Sequence, residues 1–189
     1  MIEELVQLDK EVFLFLNGLG TPTWDGFWMF ATNKLGSIPV YLALLILVYR
    51  QLGLRKTLLV LGTVAILILA TDQLANFFKY GVQRLRPCYD PRIGTLMRLV
   101  KSSCGGKFGY FSAHAANSFA VASFFTLLMK PYFRRIGLLL FLWAFIVAYS
   151  RIYIGVHFPL DVLTGIAIGL GLGWLFAKLY IFALHKFRL

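Results

Sequence analysis

The segment 57-TLLVLGTVAILILATDQLANFF-78 is apolar for 22 residues and carries one charged side chain, Asp72. An α-helix needs about 20 predominantly apolar residues to cross a bilayer, and it satisfies its backbone hydrogen bonds internally. The segment therefore predicts a membrane-spanning helix, which ends beside the cation of Lys79. We expect Asp72 to pack against polar groups of neighbouring helices rather than to act in catalysis.

The composition of the whole chain also indicates a membrane protein. Of its 189 residues, 59% are hydrophobic and 14% are charged, whereas soluble domains are nearer half apolar and a quarter charged. The formal charge of +11 favours contact with anionic lipid headgroups. The basic residues lie between apolar segments and not in one soluble patch, so nucleic-acid binding is not expected. We expect a single domain, residues 1–189, and its oligomeric state is left open.

Four further apolar segments extend this prediction to an all-α integral membrane bundle of about five transmembrane helices. The first predicted span is interrupted at Asn33-Lys34 and Gly36, so its early part is expected to lie outside the hydrocarbon. Residues 2–17 mix apolar and charged side chains, which is typical of an amphipathic helix at the interface. The five predicted spans are residues 24–48, 57–78, 112–129, 136–149 and 159–184.

Short loops rich in Lys and Arg predict the orientation, because such loops are usually cytoplasmic. Loops 79–111 and 151–158 then face outward, although 79–111 carries more cations than any inner loop. We attribute several of those cations to function, and we expect a multi-pass protein of the inner (plasma) membrane, targeted by its first span without cleavage. The inner clusters are Arg50, Arg55 and Lys56; Lys130, Arg134 and Arg135; and Lys178, Lys186 and Arg188.

Two cysteines, Cys88 and Cys104, lie in the long outer loop. An extracytoplasmic loop is oxidising, which favours a disulfide between them. Two unrelated thiols are the alternative. A metal site is not expected, because two isolated cysteines supply too few ligands.

Three short polar groups lie at the outer ends of the predicted spans. The first is Lys79 with Arg86-Pro87, where Lys offers a point charge and Arg a planar fork for phosphate oxygens. Such cations can instead extend to lipid headgroups, and Arg84 fits that snorkelling role best.

The second polar group is Ser112-Ala113-His114. Its position at a helix start offers free backbone N–H groups to an anion. A capping serine beside an interfacial histidine is the plainer alternative.

The third polar group is Ser150-Arg151, followed by His157 and Asp161. His157 and Asp161 are four residues apart and so share a helical face. A carboxylate at one imidazole nitrogen fixes the tautomer and leaves the other nitrogen free to attack. A simple ion pair at a helix start is the alternative. Together the three groups predict one phosphate site with a nucleophilic histidine.

The combined pattern resembles the type 2 phosphatidic acid phosphatase superfamily, which includes the vanadium haloperoxidases. Its signature is K-x6-R-P, then P-S-G-H, then S-R-x5-H-x3-D. This chain matches the first motif from Lys79 to Arg86-Pro87 and the third from Ser150-Arg151 to Asp161. In the middle motif Phe111 replaces Pro and Ala113 replaces Gly. Ala113 is a small change unless the glycine requires a positive φ.

The resemblance implies a role for each matched residue. His157 would be the nucleophile that forms a phosphohistidine, Asp161 would orient it, and His114 would protonate the leaving oxygen and then activate water. The groups implied to bind the phosphoryl oxygens are Lys79, Arg86, Ser112, Ala113 and Arg151. Neither a metal nor another cofactor is expected, because no carboxylate cluster offers a metal site.

The expected function is hydrolysis of a lipid phosphate that enters from the bilayer. Undecaprenyl pyrophosphate is the favoured substrate, because a small outward-facing chain suits recycling of envelope lipids. Phosphatidylglycerophosphate, phosphatidic acid and a lipid A phosphate are the alternatives.

Three other functions stand as alternatives to hydrolysis. Phosphate transfer between lipids would need a second acceptor pocket. A non-catalytic protein that binds anionic lipids would need only the cations, whereas this chain also has both histidines and Asp161. A haloperoxidase is disfavoured, because those proteins are soluble.

Overall fold

The computed structural model describes residues 2–187, so Arg188 of the predicted inner cluster lies outside the described residues. In this part of the chain, helices are joined by loops and no strand is formed; Leu85 and Phe108 form an isolated bridge. The predicted all-α architecture is confirmed. The helices are α1 (Ile2–Gly18), α2 (Pro22–Thr32), α3 (Ile38–Val82), α4 (Ala113–Met129), α5 (Ile136–Tyr153) and α6 (Pro159–Lys186).

Helix α3 consists of two helical arms, because the chain reverses its direction at Gly53. The arm before Gly53 contains the later part of the first predicted span, and the arm after it contains the second. Gly53 has a φ of 74°, a left-handed value that favours glycine. Tyr41, near the start of the arm before Gly53, lines the same cavity as Asp72, near the end of the arm after Gly53. Val48, at the other end of the first arm, lines a second cavity with Thr57. The two arms, residues 38–52 and 54–82, are therefore antiparallel.

The interruption predicted at Asn33-Lys34 divides the first predicted span, residues 24–48, into two helices. Residues 22–32 form the separate helix α2, and the first arm of α3 begins only at Ile38. Asn33 causes the break: its backbone is extended and its side chain accepts a hydrogen bond from the Leu35 N–H. A short side chain that bonds to its own backbone competes with helix continuation. The 3₁₀ turn Lys34–Ser37 joins the two helices.

Three segments of the described chain are long and apolar enough to cross a membrane. They are residues 34–82, which include both arms of α3, and helices α5 and α6. Helix α4 is apolar but has only 17 residues. Helix α5 continues to Tyr153, four residues beyond the predicted end of the fourth span.

Helix α4 is the central helix of the bundle, and it lies very close to α6. The contact depends on Gly165, Gly169 and Gly173, since a Cβ at any of them would collide with a backbone oxygen of α4 or its cap. Small residues at every fourth position let two membrane helices approach closely. The two helices run parallel, which brings their N-termini together: the Ser112 N–H donates to the Asp161 carbonyl at 2.9 Å.

Helix α1 packs beside the ends of α5 and α6. It turns Asp9, Phe13 and Asn17 inward, and each of these side chains is buried. Several large apolar side chains on its other faces are exposed, as expected for a helix at a lipid interface. They include Leu5, Leu8, Val12 and Phe15. The amphipathic helix is therefore present, but Asp9 is part of its buried face.

Candidate active site

A cavity of 480 Å3 lies among helices α3, α4 and α5, and the turn that follows α2 also lines it. Its polar end collects six of the eight predicted site residues, and its other end is apolar, with Val64, Ile68 and Val121. A polar site that continues into an apolar cleft suits a molecule with an anionic head and a hydrocarbon tail. The six residues are Lys79, Arg86, Ala113, His114, Arg151 and His157.

His157 and Asp161 lie side by side at the start of α6. The His157 Nδ1 is 3.6 Å from the Asp161 Oδ2, slightly beyond hydrogen-bond range, and both residues are buried. Catalytic hydrogen bonds are often long in empty sites and shorten when substrate binds. Since the Nδ1 faces the carboxylate, the Nε2 on the opposite edge of the ring is the nitrogen available to substrate.

Burial lowers the pKa of His157 well below its ordinary value, and the cations of Arg151, Arg86 and Lys79 lower it further. The imidazole is therefore neutral near pH 7. A neutral ring keeps the lone pair that nucleophilic attack requires.

The three predicted cations approach the cavity from different elements. Lys79 comes from the last turns of α3, Arg86 from the following loop and Arg151 from the end of α5. Arg86 is held by the Cys104 carbonyl at 2.7 Å and the Phe108 carbonyl at 3.2 Å. Arg151 donates to the Thr32 hydroxyl at the end of α2. Cations fixed in this way can meet a phosphate without further reorganisation.

The middle motif places His114 in the cavity and Ser112 behind it. Ser112 is fully buried, and its hydroxyl accepts from the Ala115 N–H at 3.5 Å, as an N-cap. Ala113 is the first residue of α4, with right-handed helical backbone, so its position does not require glycine. Phe111, where the family has Pro, is buried against Phe78 of α3.

The snorkelling interpretation of Arg84 is wrong. Its guanidinium bonds the Asp161 Oδ1 at 2.7 Å and forms a second ion pair with Asp9. Its Cζ lies 4.6 Å from the centre of the Phe158 ring. Burial opposes the charge of Arg84, but Asp161 and Asp9 outweigh it and raise its pKa. A snorkelling side chain would instead extend to the lipid surface.

The long loop after α3 is attached to the rest of the site. The sulfur atoms of Cys88 and Cys104 lie at bonding distance in the structure. This pairing fixes the segment whose Cys104 carbonyl holds Arg86. Arg98 of the same loop forms an ion pair with Asp25 of α2 at 2.9 Å, so part of the cation excess in this loop is used in structure.

Asp72 accepts a hydrogen bond from the Asn117 side chain at 2.8 Å, which links α3 to α4 as predicted for a packing role. Both residues also line the cavity, together with Asn33 and Lys34. Sequence reasoning did not select Asn117, Asn33 or Lys34, because no local motif marks them. In the described part of the chain, no group of three or more His, Cys, Asp or Glu side chains is placed to hold a metal.

Comparison with known proteins places this geometry in a family. The sequence model of the PAP2 superfamily matches residues 56–183. A lipid A 4'-phosphatase of Bacteroides thetaiotaomicron is 37% identical over 178 residues, which are 93% of this chain and 78% of that protein. A lipid A 4'-phosphatase of Porphyromonas gingivalis is 33% identical over 185 residues, which are 96% of this chain and 77% of that protein.

A solved structure shows the same fold. The crystal structure of Aquifex aeolicus LpxE superposes with a TM-score of 0.65 and 30% sequence identity. The match covers 89% of this chain and 93% of that one.

Proposed function

The chain belongs to the PAP2 superfamily and is a membrane lipid phosphatase, and on that premise we propose that it removes a phosphate from a lipid A-type glycolipid through a phosphohistidine at His157. The observation that carries the proposal is the 480 Å3 cavity, where both histidines and three cations meet at the polar end of an apolar cleft. A site for binding alone would need the cations but not the paired imidazoles.

In the first half of the reaction, the His157 Nε2 attacks the phosphorus and the bond to the lipid oxygen breaks. His114, which is protonated when the phosphate dianion binds beside it, gives its proton to that oxygen, so the lipid leaves as a neutral alcohol. Asp161 accepts a hydrogen bond from the His157 Nδ1–H and stabilises the positive charge on the ring. Lys79, Arg86 and Arg151 hold the phosphoryl oxygens, whose charge is the main quantity to be stabilised in phosphoryl transfer.

In the second half, water replaces the lipid oxygen. His114, now neutral, takes a proton from the water as it attacks the phosphorus, and the bond between phosphorus and Nε2 breaks. Inorganic phosphate leaves, and both histidines return to their first states. Ala113 offers its backbone N–H at the start of α4, and Ser112 caps that helix start, so both support the anion site. These steps need no metal or other cofactor.

The relatives favour the lipid A alternative over undecaprenyl pyrophosphate. Two proteins with 37% and 33% identity over more than nine-tenths of this chain are lipid A 4'-phosphatases. The preference for undecaprenyl pyrophosphate came from chain size and an outward-facing site, which are properties that many lipid phosphatases share.

We place the site on the extracytoplasmic side of the inner membrane. The short basic loops at the opposite end of the bundle support this orientation. The pairing of Cys88 with Cys104 supports it too, since disulfides persist in oxidising compartments.

The substrate is tested by a panel of purified lipids in detergent with EDTA. We expect phosphate release with the highest kcat/KM for lipid A, by roughly tenfold or more over phosphatidylglycerophosphate, phosphatidic acid and undecaprenyl pyrophosphate, since one set of specific contacts is worth about that much. A higher kcat/KM for undecaprenyl pyrophosphate would contradict the lipid A assignment and leave the phosphatase assignment intact.

A further inference from the structure

The buried face of α1 contacts both ends of the loop that carries the nucleophile. Asp9 and Asn17 are eight residues apart, which is slightly over two helical turns, so they lie on one face about 12 Å apart along the axis. Asn17 donates to the carbonyl oxygens of Ile152 and Tyr153, at 3.1 and 2.9 Å, where α5 ends. Asp9 accepts from the Leu160 N–H at 2.8 Å, where α6 begins. His157 lies between these two attachments.

Phe13 fills the space between the two polar contacts. It is fully buried and meets the Phe158 ring edge to face, with the ring centres 5.2 Å apart. Phe158 is the residue after the nucleophile, and its N–H donates to the Asp161 Oδ2 at 3.0 Å. The inner face of α1 thus contacts the nucleophile segment with an acid, an aromatic ring and an amide in succession.

Arg84 connects α1 to the catalytic carboxylate. One guanidinium nitrogen bonds Asp9 and another bonds the Asp161 Oδ1 at 2.7 Å, while the opposite Asp161 oxygen faces His157 at 3.6 Å. Arg84 does not line the cavity, so it is not placed to touch substrate. A guanidinium that bridges two carboxylates restrains both of them in position and rotation.

We propose that Arg84, anchored by Asp9 of α1, is a positioning residue that fixes the Asp161 carboxylate for His157, and that α1 is therefore a working part of the active site. This inference rests on the proposed function, in which His157 is the nucleophile. Without Arg84, the Asp161 carboxylate keeps its bond from Phe158 and still faces the neutral imidazole, but it loses the only cation that bonds it among the described residues. The imidazole would then be held less firmly for attack.

The test compares kcat and KM for Arg84→Gln and Arg84→Lys in purified full-length protein. Arg84→Gln should lower kcat by about 10- to 100-fold, the range seen when a group that orients a reactive ligand is removed. KM should stay within about threefold of the wild-type value, since substrate binding loses no contact. Arg84→Lys, which keeps the charge but not the fork, should recover part of the loss.

The matched control is Arg92→Gln, the same change at an exposed arginine of the same loop. It should leave kcat and KM unchanged. If Arg84→Gln proves unstable, Asp9→Asn carries the test, because it keeps the shape of the side chain and removes the charge that holds Arg84. Its control is Glu11→Gln, on the exposed side of α1. Asp9→Asn should lower kcat by about 3- to 30-fold, less than Arg84→Gln, since Arg84 retains its bond to Asp161.

Three outcomes would overturn the proposal. The first is an unchanged kcat in both Arg84→Gln and Asp9→Asn. The second is a rise in KM in these variants while kcat keeps its wild-type value. The third is a loss of folded protein, measured by melting temperature, with normal kcat per folded molecule, which would make the network purely structural. His157→Ala is assayed alongside: activity in that variant would count against the proposed function itself, whereas an inactive His157→Ala with normal Arg84 variants would count only against the role of α1.

Discussion

At the residue scale, the site depends on a carboxylate that is bonded on both oxygens. Asp161 Oδ1 bonds Arg84, and Oδ2 accepts from the Phe158 N–H while it faces His157. An imidazole held next to such a group has a defined tautomer, with its proton on Nδ1. The same burial that fixes the pair keeps His157 uncharged.

That uncharged histidine predicts a dependence of stability on pH. In the unfolded chain an imidazole gains a proton as the pH falls below about 6.5. In the folded protein, burial and then three cations lower the pKa of His157, so it stays neutral there. The unfolded state therefore binds more protons, and the free energy of unfolding should fall by up to about 1.4 kcal/mol per pH unit below pH 6.5.

The measurement is the melting temperature in detergent between about pH 7.5 and about pH 5, for wild type and His157→Gln. Wild type should lose stability more steeply on acidification, because the variant lacks this proton-linked term. Parallel curves for the two proteins would show that His157 is not held neutral by the fold.

Sequence reasoning could predict Arg86 but not the role of Arg84. Arg86 and Pro87 belong to a motif with fixed spacing, and that motif implies contact with phosphate. The partners of Arg84 are 75 and 77 positions away, and neither Asp9 nor Asp161 marks it in the local sequence. The three meet because α1 and the loop after α3 both pack against the start of α6.

At the element scale, glycines of α6 align the site. Gly165 and Gly169 let the start of α6 lie against the start of α4, where His114 and Asp161 belong to neighbouring first turns. A methyl group at Gly169 would collide with the Ala116 carbonyl, whereas one at Gly171 would meet open space.

This difference gives a prediction with a built-in control. Gly169→Ala should lower the stability by about 1–3 kcal/mol through overpacking. Gly171→Ala, on the same helix, should be neutral or slightly stabilising, since alanine is the better helix former by up to about 1 kcal/mol. Thermal melts in detergent compare the two, and equal melting temperatures would mean that α4 and α6 are not closely packed at Gly169.

The sequence predicted helices well and their ends less well. Long apolar runs identified the second arm of α3 and helices α4 to α6, because a helix that crosses lipid needs apolar side chains along most of its length. The interruption of the first span was predicted, but α2 was not separated from the span as a helix of its own, because α2 is nearly as apolar as a span. The two helices part where the Asn33 side chain accepts a hydrogen bond from the Leu35 N–H.

At the scale of the whole molecule, the fold gathers residues from Lys79 to Asp161 at one end of the bundle, beside an apolar cleft. The substrate phosphate would then meet the cations while its acyl chains remain in the bilayer. The family follows from sequence motifs and is confirmed by comparison, whereas the cleft and the inward face of α1 needed the structure.

The proposed orientation, with the active site on the extracytoplasmic side, makes a prediction about the cysteines. Protein from native membranes should contain Cys88 and Cys104 as a disulfide, since an outer loop is oxidised. Mass spectrometry after alkylation without reductant should find an unalkylated chain whose mass is two hydrogen atoms below that of the dithiol chain. Two alkylated thiols would contradict an extracytoplasmic site.

The central claim is that His157 performs the chemistry without a metal. Its most direct test is phosphate release from lipid A in detergent with EDTA, for wild type and for His157→Ala. Wild type should remain fully active with EDTA, and the variant should lose activity by roughly a thousandfold or more while its melting temperature shows a folded protein, as for other nucleophile deletions. A folded His157→Ala variant within about tenfold of the wild-type rate, or a wild type that EDTA inactivates, would contradict the account.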